Sequence, residues 1–450
     1  MKFFPQEALN DGVRKREVFG WAMYDFANSG YTTVVMTAVF SAYFVGVVGG
    51  GADWATLAWT LAISASSLIV MLTMPAIGAY ADLKAAKKRL LALSTAGCVL
   101  ATAALALAGP GDVAVAVAAV VLSLTFYSYG ESLIAAFLPE LARADAMGRV
   151  SGWGWGLGYF GGMLALGLGL VYVSAAQSRG EPATSFVPVV MVMTAAIYGL
   201  ASLATFALLR ERATPAAASA VELESAGLRA SLTRLAQTWQ HAERYRDLRW
   251  LLACCVCYQA GISVVITLAA VYAEQVLGFK QADTMLLVFM VNIAAVAGAF
   301  AFGYWQDRVG YKRSLAFTLV GWFLMTMLAG FATGALMFWA AAVLAGLCMG
   351  SSQSAGRAMV GVLTPADRKA EFFGLWSFAT NLAVVVGPLT YGLITLMTGG
   401  NHRVAILSTA LFFVGGLWLL RPIDMARGQR AARDAPLLPP SPIDRTDKPA

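Results

Sequence analysis

Twelve stretches of this sequence are each long and apolar enough to cross a bilayer, and nothing else limits its fold so strongly. They fall at roughly 20–47, 55–81, 88–109, 113–139, 150–174, 186–209, 249–274, 283–305, 314–333, 335–361, 372–397 and 404–421. A membrane helix needs ~20 predominantly apolar residues to span the hydrocarbon. No water is present there, so every backbone N–H and C=O must be paired within the segment, as a helix pairs them. The expected fold is an all-α integral membrane protein of twelve transmembrane helices. Composition agrees, with 59% of the 450 residues hydrophobic and 13% charged, about half the charge of a soluble chain. A soluble enzyme, a nucleic-acid binder and a disordered scaffold are set aside on that ground.

The charges that remain report orientation. The net charge is +7, and of 32 Lys and Arg only Arg179, Lys280 and Arg403 fall in one set of loops, with Arg357 inside a span. The rest lie at both termini and in the alternate loops, which are cytoplasmic by the positive-inside rule. The basic excess thus describes topology and implies no nucleic-acid partner. The first span follows Arg14, Lys15 and Arg16 and is too long and too polar at its start for a cleaved signal peptide.

The chain divides into a cytoplasmic N-terminal segment (1–19), a six-helix bundle (20–209), a cytoplasmic linker (210–248), a second six-helix bundle (249–421) and a tail (422–450) read as disordered and cytoplasmic. In the linker, Leu228, Leu232, Leu235 and Trp239 share one helical face among arginines, the pattern of a helix lying on the membrane surface. The two bundles repeat. Gly78-Ala-Tyr-Ala-Asp82 precedes Lys87-Lys88, and Gly303-Tyr-Trp-Gln-Asp307 precedes Lys312-Arg313, at an offset of 225. Leu138-Pro139 followed by Gly152 is echoed by Thr364-Pro365 followed by Gly374. Such an offset points to parallel structural repeats.

The physical content of these loops is readable. Gly78 and Gly303 let helices approach closely. Asp307 is placed to cap a neighbouring helix N-terminus or to pair with a base, and Asp82 is its counterpart in the first-half copy. Gly310 turns the chain, and Arg308, Lys312 and Arg313 hold the loop on the basic side. The stretch Gly303 to Arg313 resembles the G-x-x-x-D-R-x-G-x-K/R-K/R signature of the major facilitator superfamily. The first-half copy has Leu83 and Ala85 where that signature has Arg and the second Gly. The resemblance implies two six-helix bundles that rock about a central path lined by helices 1, 4, 7 and 10, with these loops as conformational latches.

A narrower likeness lies in Trp21-Ala-Met-Tyr24-Asp25-Phe-Ala-Asn28-Ser29-Gly-Tyr31. It is similar to the opening of the family that includes the fungal vacuolar amino-acid effluxer linked to autophagy and its bacterial relatives. Phe137-Leu-Pro-Glu140, the Gly-rich run from Arg149 to Gly162, Gln353-Ser-Ala-Gly-Arg357 and Glu371-Phe-Phe-Gly374 extend it. On helix 7 that family tends to carry an acid near a Tyr and Gly, where this chain has Tyr258-Gln259-Ala260-Gly261.

Ionisable groups inside spans are costly and mark function by default. Three stand out: Asp25, Glu131 and Arg357, on helices that the resemblance places at the central path. Trp21, Asp25, Asn28 and Thr32 form one polar stripe, Gly346, Gly350, Gln353 and Arg357 another, and Tyr127 lies one turn from Glu131. Glu131 and Arg357 are repeat mates at an offset of 226, each about 12 Å from the cytoplasmic helix end at ~1.5 Å per residue. The expectation is that Glu131 pairs with Arg357 when the cytoplasmic side closes. Asp25 or Glu131 carries a proton, and Arg357 either binds an anionic group of the solute or pairs with the free carboxylate, a pair that proton binding would break to bias the rocking; the alternative is a permanent structural salt bridge with no part in transport. Tyr24, Gln259, Trp376, Asn381 and Asn292 are further polar candidates for the substrate cavity, each with a packing role as its alternative. The aromatic, Gly-rich run Gly152–Gly162 reads as tight helix packing.

These features support a secondary active transporter of a small polar or zwitterionic solute, amino acids among them by resemblance. It is read as proton-coupled, monomeric, and resident in a bacterial cytoplasmic (inner) membrane. The alternatives are a passive facilitator, a non-transporting receptor or scaffold on the same fold, and a membrane enzyme, for which no catalytic cluster is evident. No cofactor is implied, since the chain has no G-x-x-x-x-G-K-[ST] nucleotide loop. No metal is implied either: the five Cys lie in apolar runs, and His241 and His402 are the only histidines, too few for a zinc site of ordinary spacing.

Overall fold

The computed structural model describes residues 4–52, 54–212, 245–277 and 281–434. Twelve helices in it are long and apolar enough to cross a membrane. They are α1 (Lys15–Tyr31, continued by wider turns to Val48), α2 (Ala55–Leu83), α3 (Lys87–Ala104), α4 (Val113–Ala135), α5 (Met147–Ser178) and α6 (Ala183–Leu208) in the first half. The second half has α7 (Arg246–Leu277), α8 (Gln281–Val309), α9 (Tyr311–Gly330), α10 (Ala335–Leu363), α11 (Lys369–Met397) and α12 (His402–Leu420). Large apolar side chains such as Leu72, Leu100, Leu200 and Leu411 are exposed on the outside of the bundle, where lipid is their natural solvent. The linker helix expected at 228–239 lies outside the described residues.

One part of the sequence reading is corrected. The segment from 422, expected to be disordered, contains α13 (Met425–Arg433). Asp424 caps it by accepting from the N–H groups of Ala426 and Arg427, and Arg427 donates to Asp247 of α7 at 2.7 and 2.9 Å. A cap and a docked charge pair supply what the polar composition hides.

The two halves meet along α2–α11 and α5–α8, with α10 against α5. Small residues make this approach possible. Gly148, Gly152 and Gly156 recur every fourth residue on one face of α5, and a Cβ at each would run into Gln306, Ala299 and Phe300 of α8. Gly154, Gly158, Gly161 and Gly162 point the other way, onto α1. The glycine run is therefore a two-sided packing surface, as expected. Gly346 and Gly350, placed with the polar stripe of α10 in the sequence reading, are instead used for close contact with Val291, Ala294 and Ala295 of α8.

Hydrogen bonds between the halves gather at the face that carries both ends of the described chain. Asp82 at the end of α2 accepts from the N–H groups of Ala370 and Glu371, at 3.0 and 2.8 Å, and so caps α11. Asp307 at the end of α8 accepts from the N–H groups of Gly148 and Arg149, at 3.0 and 3.1 Å, and caps α5. Each repeat thus sends one carboxylate to the open N-terminus of a helix in the other, where free N–H groups and the helix dipole favour an anion. Asp307 also takes the Arg149 guanidinium at 3.2 Å, so both roles expected for this residue are realised.

The basic partners of these loops act as helix-end ligands. Lys88 Nζ donates to the Leu209 carbonyl at 2.6 Å, and Lys312 Nζ to those of Arg421 and Ile423 at 2.7 Å. Arg308 and Arg313 remain exposed. Gly310 has φ +95°, and its repeat mate Ala85 is held at φ +49°, so the first half also passes through a positive φ here, with a residue whose Cβ resists it.

On the opposite face, the contacts stay within one half. Tyr43 donates to the Ala108 carbonyl at 3.0 Å and Gly111 N–H to Val48 at 3.0 Å, while Tyr272 donates to Ala329 at 2.8 Å and Arg403 to Gly330 at 3.0 Å.

Candidate functional site

Arg357 of α10 crosses the seam and enters the first half. Its Nη1 donates to both carboxylate oxygens of Asp25 on α1, at 3.0 and 2.8 Å. Its Nε donates to Ser151 Oγ at 3.2 Å and its Nη2 to the Ser151 carbonyl at 2.9 Å, both on α5. The guanidinium lies between two indole rings, 4.7 Å from that of Trp21 and 5.2 Å from that of Trp155. Arg357 and Asp25 are 2% and 6% exposed, so the charge pair is desolvated, and its hydrogen bonds and ring contacts are what make that burial tolerable. Gly154 completes the socket, since a Cβ there would lie 2.6 Å from Arg357 Nη2 and 2.7 Å from Trp21.

The acid expected to meet Arg357 was Glu131; the structure gives that place to Asp25. Glu131 is half-buried, and among the described residues it has no ion-pair partner within 4.0 Å. The reason is tertiary. Equal register along α4 and α10 sets equal depth, but α1 is the helix packed against α5 where Arg357 arrives.

The remaining candidates divide. Trp21 donates its indole N–H to the Ile134 carbonyl at 2.8 Å, which fixes the ring beneath Arg357. Tyr127, one turn from Glu131, stacks on Tyr31 with centroids 5.1 Å apart. Gln259 and Gln353 exchange amide hydrogen bonds at 2.8 and 3.4 Å, joining α7 to α10. Tyr24 and Asn28 are drawn into the interior of the first bundle: Tyr24 Oη lies 2.9 Å from Thr95 Oγ1, and Tyr198 donates to Asn28 Oδ1 at 2.6 Å. Trp376 is buried edge-on against Phe373. Asn381 and Asn292 each donate back to their own helix, at 2.9 Å to Ser377 and 2.8 Å to Val288.

Sequence reasoning missed Ser151, which takes two of the Arg357 bonds, and a buried charge cluster at the base of the seam. In that cluster Glu140 meets Lys87 of its own half, and Lys369 of the other half at 3.7 Å. The signal for Glu140 was present in Phe137-Leu-Pro-Glu140, but no spacing rule ties it to Lys369, more than two hundred residues away.

Twelve membrane helices in two repeated halves, joined at one face by helix caps and by a buried ion pair, define a membrane transporter of the major facilitator fold. Residues 42–433 match the family described as "Vacuole effluxer Atg22 like", and the chain belongs to that family. Over 407 residues it is 26% identical to YxiO of Bacillus subtilis (strain 168), described as an uncharacterized MFS-type transporter; the match covers 89% of this chain and 93% of that one. Autophagy-related protein 22 of Yarrowia lipolytica (strain CLIB 122 / E 150) is 24% identical over 336 residues, 68% of this chain and 55% of its own, so the chain spans about half the length of that fungal relative. Among solved structures, the human organic anion transporter MFSD10 superposes with TM-score 0.71 at 15% identity, over 90% of this chain and 99% of that one. The transporter FucP in its outward conformation gives 0.67 at 16%, over 91% and 98%. These likenesses show the fold.

Proposed function

We propose that this protein is a secondary active transporter that moves a small polar or zwitterionic solute by alternating access, with Asp25–Arg357 as a proton-sensitive tie between its halves. The observation that carries this reading is the position of the pair: buried, between halves, and on the side of the seam where the halves are joined. The positive-inside rule makes that side cytoplasmic, with both chain ends inside. Protonating Asp25 removes the negative partner and leaves a buried guanidinium uncompensated, which favours separation of the halves on the cytoplasmic side. Glu131, beside Tyr127 and without an ion pair among the described residues, is a second proton acceptor or a contact for the solute. Membership of the effluxer-like family supports amino acids as the first solutes to test.

The test is uptake and counterflow of radiolabelled amino acids, sugars and organic acids in proteoliposomes, with lumenal pH recorded. Wild type is expected to move solute and protons together, and Asp25→Asn and Arg357→Lys to lose coupled flux. Normal coupled flux in both variants overturns the role given to the pair. Solute flux with no proton movement in wild type establishes the passive facilitator instead.

A further inference from the structure

The connection between α4 and α5 (136–146) and the first turns of α5 receive the second half at several points. The Glu140 carboxylate faces Lys369 at 3.7 Å, and the Ala144 carbonyl oxygen lies 2.8 Å from Tyr311 Oη. Further on, Gly148 and Arg149 give their N–H groups to Asp307, and the Trp153 indole N–H donates to Tyr304 Oη at 3.2 Å. An irregular connection of this kind has backbone groups that no helix pairs, and they need partners from elsewhere. The segment before α1 supplies them. Arg143 N–H donates to the Ala8 carbonyl and Asn10 N–H to the Leu141 carbonyl, both at 3.0 Å, around an antiparallel bridge between Leu9 and Ala142. The Asn10 side-chain amide donates to the carbonyls of Pro139 and Glu140, at 3.2 and 3.1 Å.

The same segment reaches the aromatic contact at the seam. Phe4 stands edge-on to Trp153, with ring centroids 4.9 Å apart, so it steadies the ring whose N–H crosses to Tyr304. Ala8, Leu9 and Val13 are buried, and the Gln6 amide donates to the Val13 carbonyl at 2.7 Å. Arg212, just after α6, donates to the Gly12 carbonyl at 3.3 Å. We propose that residues 4–13 are a splint: they hold the α4–α5 connection and Trp153 in the shape that the second half binds, and so set how firmly the cytoplasmic side shuts. The inference rests on the halves separating at that side, as in the reading above. The segment precedes the first span, so its release leaves all twelve membrane helices in place. It can therefore shift the balance between closed and open states while the bundles stay folded.

The experiment uses the full chain in lipid nanodiscs, with spin labels on the exposed residues Arg89 and Ala366, one in each half and both outside the splinted connection. Pulsed EPR compares wild type with Phe4→Ala, with Asn10→Ala, and with a variant whose residues 4–10 are replaced by a Gly-Ser repeat of equal length. Each change should move the ratio of closed to open distances toward open, by about 3- to 10-fold for Phe4→Ala, the worth of one aromatic edge contact. In a Tyr304→Phe/Tyr311→Phe background the hydroxyls that reach Trp153 and Ala144 are gone. There Phe4→Ala should add less than about 2-fold, because the changes act on one set of contacts. A lower melting temperature with unchanged distances in all three variants assigns the segment to the fold of the first half and overturns the proposal. Full additivity with the two Tyr→Phe changes overturns it as well. Distances that respond to the variants in a protein that transports none of the solutes tested above remove the transport reading and leave the splint standing.

Discussion

Arg357 on the tenth membrane helix and Asp25 on the first are joined by one guanidinium nitrogen that donates to both carboxylate oxygens, at 3.0 and 2.8 Å. The contact spans more than three hundred residues of chain and both halves of the molecule. Breaking a buried pair by removing one partner costs about 3–5 kcal/mol, because the other charge is left unpaired, while removing both is far milder. Asp25→Asn and Arg357→Gln should each lower the melting temperature clearly, and the double variant should recover much of the loss. Thermal unfolding in detergent measures this, and strictly additive losses would contradict the pairing.

Glu131 is expected to behave in the opposite way. It has no ion pair among the described residues to lose, so Glu131→Gln should change stability by no more than about 0.5 kcal/mol. Its effect should fall on uptake driven by an imposed pH gradient, with at least about a 10-fold drop if it carries the proton or contacts the solute. Unaltered gradient-driven uptake would leave Glu131 without a part in transport.

The two capping aspartates join one half to the other, so their loss is expected to weaken the closed state more than the fold of either half. Losing an N-cap costs about 0.5–2 kcal/mol, and ~1.4 kcal/mol is a tenfold change in a conformational equilibrium. Asp82→Ala and Asp307→Ala should therefore each shift the population toward separation at the basic face. Because the caps sit at different helix pairs, their effects should roughly add. Spin labels on the exposed loop residues Asp145 and Ala366 report the distance between halves by pulsed EPR; an unchanged distance distribution in the double variant would count against the latch.

A single methyl group should hold the seam open. A Cβ on Gly152 would sit 2.5 Å from the Ala299 carbonyl oxygen and 3.0 Å from Gly303 Cα, both backbone atoms of the other half. Gly152→Ala is expected to fold, to show the longer distance between labels, and to lose most transport. Gly167→Ala on the same helix, with nothing within 4 Å of its Cβ, is the control and should match wild type. Equal transport by the two variants would show that the seam need not close so tightly.

Ala85 offers a stabilising change. It holds φ +49° where its repeat mate Gly310 holds +95°, and a left-handed residue with a Cβ is strained by roughly 1–2 kcal/mol. Ala85→Gly should raise stability by about 0.5–1 kcal/mol once the extra freedom of glycine in the unfolded chain is set against the relief. A melting temperature that falls would show that Ala85 is not strained.

Much of this protein is determined by its sequence, for a physical reason. A bilayer forces each spanning segment to satisfy its own backbone, so twelve apolar runs become twelve helices without help from the rest of the chain. The offset between Gly78–Asp82 and Gly303–Asp307 is likewise local information, and it carried the two-halved architecture; the helix-capping role was read for Asp307, and the cap made by Asp82 came from the structure. The three intramembrane charges were visible as well, because charge in hydrocarbon is conspicuous. What the sequence could not hold is which of them touch. Matched depth on repeat-related helices suggested Glu131 for Arg357, but depth is one coordinate, and the partner is set by how helices rotate and pack. The glycine faces of α5 bring α1 and α10 together at Asp25, Ser151 and Arg357. Those relations depend on helix-to-helix distances of a few ångströms between segments far apart in the chain, and only the tertiary structure decides them.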